Sequence, residues 1–383
     1  MNVLDLVRAM RTIAPLELAE SWDRVGLLVG DEQRALAGPV VLTIDLTEDV
    51  LSEAAALKAS AIVAYHPPIW EPLARLTTAT ARERILLRAV ESGMAVYCPH
   101  TALDAAAGGV TDWLCEGLSG AAEGKVAGDC RAMTFAASRS DTQQVKIVTF
   151  VPPAEVDKIR GALASAGAGI IGAYSVCSFG VEGTGTFLGD ETSNPVVGER
   201  GRLEKAHEIR LEMVCSKRAL ALAVETLRQF HPYEDPAIDV YELLPKPARG
   251  AGAGRRLTLD RPATLAELAG RMKSHLGHSR VQVASILGQG RLDASVSTIG
   301  VVPGAGGSLL SIARDEKCEV FVTGEMKHHD VLEALHSGMS VILAGHTNTE
   351  RGYLTRLAAK LRGVLSGVTV HLAREDRDPL VIV

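Results

Sequence analysis

The stretch SGMSVILAGHTNTE (residues 337–350) joins the end of a predicted strand to an imidazole and a carboxylate. Its apolar run VILA predicts a buried strand that stops at Gly345, and a helical pattern begins soon afterwards. His346 follows the strand directly and Glu350 comes four residues later, so a helical turn would place both on one face. The stretch SGMAVYCPHTALD (92–104) repeats this arrangement with His100 and Asp104. We therefore expect two related halves of one α/β sheet.

Short β-type runs alternate with helical segments through the first third of the chain. VVLTIDL (40–46), AIVAY (61–65) and MAVYC (94–98) are each followed by a segment with helical periodicity. The same alternation resumes after residue 256. Because parallel strands need long crossover connections, this pattern predicts a mainly parallel sheet with helices on both faces.

The middle of the chain has a different pattern. Strand-like and helical runs follow one another there in the order βαββαβ, which is typical of a ferredoxin-like α+β domain. The glycine-rich stretch KPARGAGAGRR (246–256) then indicates a linker. We predict an α/β fold in which a split, mainly parallel domain (1–125 and 247–383) carries an inserted ferredoxin-like domain (126–246).

The bulk composition narrows the functional classes. The 383 residues predict two or three domains, and 47% hydrophobic with 22% charged residues is typical of a globular protein. A net charge of −6 gives no signal for nucleic-acid binding, and no apolar run reaches the length of a membrane span. The six scattered cysteines include no CxxC pair, which favours free thiols in the cytoplasm.

Side chains that bind metals recur where predicted strands end. The five candidates are His66, His100, Asp104, His346 and Glu350. Loops at the carboxyl ends of strands converge on a crevice, and imidazole with carboxylate suits Zn, Mn, Fe or Co. Five ligands exceed the need of one ion, so we expect two bridged divalent ions per chain. The alternative for any single pair is an ordinary contact on the surface of a helix.

Further candidates lie near these strand ends. TGEMKHHD (323–330) offers Glu325, His328 and His329 as an orienting partner or an acid/base group, or else as a solvated helix start. Asp23 and Asp45 are candidates that also suit caps or turns. PGAGGS (303–308) is a weak anion-binding motif, and FHPYEDP (230–236) favours a structural corner over a crevice wall.

These motifs together resemble a known family. SWDRVGLLVG, YHPPIW, PHTALDAAAGGVTDWL, TGEMKHHD, GHTNTERGYL and DRDPLVIV occur in order across nearly the whole chain. They resemble the Nif-three-like dinuclear metal-centre family, whose members are often labelled GTP cyclohydrolase 1 type 2 homologs. The middle segment resembles the PII-like or CutA-like domain of longer members. The resemblance implies metal ligands at His66, Asp104, His346 and Glu350, with His100 as a neighbour, and a homohexamer. Tyr65 stands where many members have a further histidine.

Two functions follow as expectations. The first is a metal-dependent hydrolase acting on a nucleotide-like or phosphorylated small molecule, with Glu325 or His329 as the group that transfers protons. The second is a non-catalytic protein that handles metal or regulates a partner. An open coordination position would favour the hydrolase, because structural metal sites are closed by their protein ligands.

Overall fold

The computed structural model describes residues 1–122, 124–138, 140–288 and 290–380. Its internal contacts divide the chain into two compact units. Unit 1 comprises Met1–Ala136 and Ala248–Val383, and unit 2 comprises Ala137–Pro247. The sequence expectation had placed these boundaries at 126 and 246.

The elements are numbered here in chain order. The first half of unit 1 contains α1 (Val3–Ile13), β1 (Gly26–Val29), β2 (Val40–Thr43), α2 (Glu48–Ala56), β3 (Ala61–Ala64), α3 (Ala81–Glu91), β4 (Ala95–Cys98), α4 (His100–Ala105), α5 (Val110–Ser119) and β5 (Gly128–Ser138). Unit 2 follows with β6 (Val145–Val151), α6 (Val156–Ser165), β7 (Phe179–Leu188), β8 (Leu203–Cys215), α7 (Leu220–Phe230) and β9 (Ile238–Glu242). The second half of unit 1 contains β10 (Lys246–Thr264), α8 (Leu265–Leu276), β11 (Gln282–Ala284), β12 (Ser295–Val301), α9 (Leu310–Asp315), β13 (Val320–Thr323), α10 (His328–His336), β14 (Ser340–Leu343), α11 (Asn348–Arg351), α12 (Tyr353–Val364) and β15 (Val370–Leu372).

Local capping explains where several helices begin. The Asn2 side chain accepts a hydrogen bond from the Asp5 backbone N–H, and the Asp5 carboxylate accepts one from the Asn2 backbone N–H. Thr264 and Glu267 form the same reciprocal box at the start of α8. Such boxes satisfy amides that the first helical turn leaves without partners.

Unit 1 contains two sheets, so the expectation of a single sheet was wrong. The first has the order β1-β4-β3-β2-β15 and the second the order β11-β14-β13-β12-β10-β5. In the first sheet β4, β3, β2 and β15 are parallel neighbours, and in the second β12, β13 and β14 are parallel. Each half of the repeat therefore supplies its own set of three parallel strands, while β15 from the second half joins the first sheet.

The two sheets share one layer of helices. Buried residues of both sheets, such as Leu42 and Ile342, belong to one apolar cluster together with Leu114 of α5 and Leu357 of α12. Separate clusters cover the outer faces, with α2 and α3 on the first sheet and α9 and α10 on the second. Burial on both faces explains why the central strands are apolar at successive positions.

The glycine-rich stretch 246–256 is not a linker but belongs to the long strand β10. It is adjacent to β5 in the second sheet, which also explains why unit 1 continues beyond residue 125. A Cβ at Gly252 would lie 1.9 Å from the carbonyl oxygen of Thr134. Glycine is needed here because the neighbouring backbone passes so close, and the same composition resembles a loop in sequence.

Unit 2 has the element order βαββαβ and one antiparallel sheet. Its strands lie in the order β7-β8-β6-β9, so that the two central strands are the first and third in sequence. The two helices cover one face, where Ile159 and Leu227 pack against Val151 and Leu211. Among the described residues, no helix of the chain is long and apolar enough to cross a membrane.

Candidate metal centre

The residues of the candidate site follow the carboxyl ends of parallel strands in both sheets of unit 1. In the first sheet, Asp45 follows β2, His66 follows β3 and His100 follows β4; in the second, Gly304 follows β12, Glu325 follows β13 and His346 follows β14. Parallel neighbours end at the same edge of a sheet, so each sheet brings its three positions together. The two edges meet, because residues from both sheets lie in contact.

Three residues form a group of the size that a metal ion requires. Ligand atoms of His66, His346 and Glu350 all lie within 4.8 Å of one another. Nε2 of His66 lies 3.4 Å from one carboxylate oxygen of Glu350, and Nε2 of His346 lies 3.6 Å from the other. Two imidazoles and one carboxylate are a common ligand set for a divalent transition metal.

Two further carboxylates hold the imidazoles in position. Nδ1 of His66 lies 2.9 Å from Oδ1 of Asp45, and Nδ1 of His346 lies 2.9 Å from Oε1 of Glu325. An ionised carboxylate only accepts hydrogen bonds, so each Nδ1 carries the proton and each Nε2 points towards Glu350. Carboxylates orient metal-binding histidines in this manner. Sequence analysis had left Asp45 open as a cap or turn residue, and its place after β2 was the signal for this contact.

The charges around His66 favour a proton when no metal is bound. Burial opposes the imidazolium, but the carboxylates of Asp45 and Glu350 outweigh it and raise the pKa of His66 to about 10. The pKa of Asp45 is lowered, because its hydrogen bond and charge interaction with His66 overcome the effect of burial. A cation is therefore favoured at this place, whether it is a proton or a metal ion.

Glu350 is the most buried member of the group, with 3% of its side chain exposed. Its Oε2 atom is buried and forms no hydrogen bond within the described part of the chain. Such an oxygen is costly unless a ligand satisfies it. Gly304 leaves the space beside it, because a Cβ there would lie 2.6 Å from Oε1 of Glu350 and 3.1 Å from Nε2 of His346. The residues present thus fit a metal ion.

Gly304 shows what the glycine-rich stretch 303–308 does. Its φ of +59° is left-handed, and its amide donates to Oγ1 of Thr349 at 2.9 Å. Its carbonyl accepts hydrogen bonds from Thr323 and from the Glu325 amide. The loop is thereby fixed against Glu350, where sequence analysis had suggested only a weak anion site.

His100 and Asp104 lie beside this group and are engaged differently. The His100 ring centroid is 5.4 Å from that of His66, and Asp23 accepts a hydrogen bond from its Nδ1 at 2.8 Å. The Tyr65 hydroxyl donates to Asp104, whose pKa burial raises to about 7. The His100 backbone has a φ of +28°, a strained value of the kind that recurs at functional sites.

His328 and His329 lie at the start of α10 and are exposed. Their rings contact each other, with centroids 5.8 Å apart. Within the described residues, no hydrogen bond, ion pair or ring contact joins either histidine to His66, His346 or Glu350. The structure therefore brings Glu325 to the site but not His329.

Comparison with known proteins shows the family of this chain. The sequence profile of Duf34/NIF3 (NGG1p interacting factor 3) matches residues 1–379. The chain belongs to the Duf34/NIF3 family. It is 34% identical over 384 residues to NIF3-like protein 1 of Bos taurus, covering 100% of this chain and 93% of that protein. It is 31% identical over 381 residues to a GTP cyclohydrolase 1 type 2 homolog of Bacillus subtilis, covering 99% and 98%.

Solved structures show the same relationship. A Bacillus cereus protein related to NIF3 superposes with a TM-score of 0.68 at 30% identity, covering 100% of this chain and 99% of that one. Staphylococcus aureus protein SA1388 superposes with a TM-score of 0.75 at 25% identity, with the same coverage. These findings confirm the family that the sequence motifs had indicated, and with it an α/β fold with several sheets.

Proposed function

We propose that this member of the Duf34/NIF3 family is a metal-dependent hydrolase. The observation that carries the proposal is the group formed by His66, His346 and Glu350, whose ligand atoms lie within 4.8 Å of one another. A divalent ion held there supplies Lewis-acid polarisation of a substrate oxygen and acidifies water. The side chain of Glu325 is 57% exposed, so the group opens to solvent on that side. An open side favours catalysis over a structural role.

The residues around the group have distinct roles in this proposal. Asp45 and Glu325 keep the rings of His66 and His346 aimed at Glu350, and this saves the cost of ordering them at each turnover. Glu325 also stays accessible enough to exchange protons with water, so it is our first candidate for proton transfer. His329 remains a second candidate only as a prediction from sequence.

A second ion is the finer part of the proposal. His100 and Asp104 are its ligand candidates, since the His100 ring lies 5.4 Å from His66. We propose two divalent ions per chain, chosen among Zn, Mn, Fe and Co, with the ion at Glu350 the more tightly bound.

The substrate class that we propose is a nucleotide-like or phosphorylated small molecule. A cavity of about 1200 Å³ lies beside the group, and Glu325 and His346 form part of its wall. Lys273 and Arg280 bring positive charge to the same cavity, whose lining also includes the carboxylates of Asp45, Glu325 and Asp378. Relatives named GTP cyclohydrolase 1 type 2 homolog, such as that of Bacillus subtilis, are in keeping with such a substrate.

Three further proposals concern the setting of the enzyme. The element order and strand order of unit 2 support a ferredoxin-like, PII-like or CutA-like insert. The family resemblance supports a homohexamer, which light scattering of the purified protein would test. The free cysteines of the described chain support a reducing, cytoplasmic location.

The test combines metal binding with turnover. Glu350→Gln and His346→Ala should each weaken metal affinity by at least about 10–100-fold, because even an outer-shell partner contributes this much. Glu333→Gln, which changes an exposed carboxylate on α10, should leave metal affinity unchanged. Metal-loaded wild type is then screened against nucleotides and phosphoesters. Normal metal affinity in both site variants would refute the site, while full metal loading without turnover would favour the metal-handling alternative.

A further inference from the structure

Unit 2 contains a cavity of about 410 Å³ that the metal chemistry does not use. It lies on the face of the sheet opposite the two helices, since its residues Phe150 and Glu208 alternate with the core residues Val151 and Ile209. The segments 193–197 and 233–237 close its sides. Its size is within the range of small-molecule sites.

The lining combines an apolar wall with carboxylates. Phe150, Phe187 and the run 195–197 form the apolar part. Three acidic residues, Glu208, Glu234 and Asp235, supply the charge, and the lining includes no lysine, arginine or histidine. This wall repels anions and favours a ligand that carries positive charge on an apolar body.

Glu208 is the central charged group of the cavity. Only 8% of the residue is exposed, and among the described residues it forms no ion pair with a basic side chain. A buried carboxylate without a cation is costly in free energy. Gly185, diagonal to it on the neighbouring strand β7, keeps its surroundings open, because a Cβ there would lie 2.1 Å from Oε2 of Glu208.

Tyr233 adds a second polar atom to the same wall. Its hydroxyl is buried and, apart from its interaction with the Glu208 carboxylate, it completes no hydrogen bond within the described chain. The turn that carries it is fixed, because the Tyr233 amide donates to Nδ1 of His231 at 3.1 Å and the His231 ring bonds the Phe150 carbonyl. A buried hydroxyl oxygen and a buried carboxylate together form a receptor for an N–H donor.

We propose that this cavity binds a small organic cation, an ammonium group on an apolar body, with Glu208 as its counter-ion. The ammonium donates hydrogen bonds to the Glu208 carboxylate and to the Tyr233 oxygen. The apolar body is buried against Phe150 and Phe187, and the aromatic faces add cation–π attraction. This site is separate from the metal centre and does not depend on the proposed hydrolase function.

The test compares three probes of one shape by calorimetry on the full chain. They are 2-phenylethylammonium, its neutral isostere 2-phenylethanol and the anion phenylacetate. We expect wild type to bind the ammonium at millimolar concentration, the alcohol more weakly, and the anion not at all. Equal affinity for alcohol and ammonium, or no binding of the ammonium, would overturn the proposal.

Variants locate the binding in the cavity. Glu208→Gln keeps the shape but removes the charge, and should weaken ammonium binding by at least about tenfold. Asp235→Asn at the exposed mouth should weaken it a few-fold without disturbing the fold. The matched control is Glu182→Gln, since Glu182 lies on β7 with 79% of its side chain exposed. Unchanged affinity in a folded Glu208→Gln, or in Asp235→Asn should the former misfold, refutes the site.

Discussion

Gly304→Ala tests the metal centre by filling the space beside Glu350, without replacing any candidate metal ligand. The new Cβ would lie 2.6 Å from Oε1 of Glu350, and the carboxylate must retreat about 0.8 Å to reach an ordinary 3.4 Å contact. The loop itself cannot retreat easily, because Thr349 and Thr323 hold both the amide and the carbonyl of residue 304. Metal–ligand distances tolerate only about 0.2 Å. We therefore expect metal affinity to fall by about 10–100-fold or more.

The same change has a separate and smaller effect on stability. A left-handed alanine costs about 1–2 kcal/mol, while moving the end of a glutamate side chain costs little. Gly338 offers the matched control, because its φ is +83° and a Cβ there would meet nothing within 4 Å. Gly338→Ala should thus lose a similar free energy of unfolding in the metal-free protein, but retain full metal affinity.

The assay follows both quantities in the two variants. Urea unfolding with chelator present gives the free energy of unfolding of the metal-free protein. Competition with a chromophoric chelator gives the metal affinity. If Gly304→Ala binds metal as tightly as Gly338→Ala, no ion lies between Glu350 and His346, and the group is an ion-pair cluster only.

Three other predictions follow from named contacts. Metal affinity should rise about tenfold per pH unit below about pH 10, because metal-free His66 keeps a proton up to its pKa of about 10 and must release it when metal binds. Calorimetry in buffers of different ionisation enthalpy measures this released proton, and finding none would contradict the prediction. Arg255→Met should lower the free energy of unfolding by about 3–5 kcal/mol, because it leaves Asp112 without its fully buried partner. The Arg249 side chain on the same strand is 64% exposed, so Arg249→Met should lower it by at most about 1 kcal/mol, and equal losses in the two variants would contradict this. Replacing 137–247 by a short Gly/Ser linker should leave unit 1 folded and able to bind metal, and a folded but metal-free product would refute the division.

The sequence can predict where candidate ligands lie along the chain because strand ends are local features. An apolar run that stops at a glycine, followed by histidine, is visible at Gly345–His346 without knowledge of the partner strands. The hydrogen bonds that orient the histidines were harder to predict, because Asp45 contacts His66 only when strands β2 and β3 are paired. A carboxylate after a strand suits a cap and a histidine partner equally until the register is known.

The errors concern contacts between distant parts of the chain. The stretch 246–256 resembled a linker by composition, yet it pairs as strand β10, and its glycines permit the close approach of β5. The number of sheets was also misjudged. A repeated strand–histidine motif indicates that two halves are related, but it does not determine whether their strands share one sheet. Pairing partners decide that, and β15 pairs with β2 across more than 300 residues of chain.

The two halves of the site are not equivalent, and Tyr65 explains why. In the second half, Oε2 of Glu350 is buried and completes no hydrogen bond within the described chain, and an ion there competes with the proton that metal-free His66 holds beside it. In the first half, Asp104 already accepts a hydrogen bond from the Tyr65 hydroxyl, and burial raises its pKa to about 7. An ion that binds Asp104 must therefore compete with both a hydroxyl donor and a proton near neutral pH. Because three ligand groups converge at Glu350 while the Tyr65 hydroxyl already occupies Asp104, we predict that an ion at Glu350 binds more tightly than an ion at Asp104.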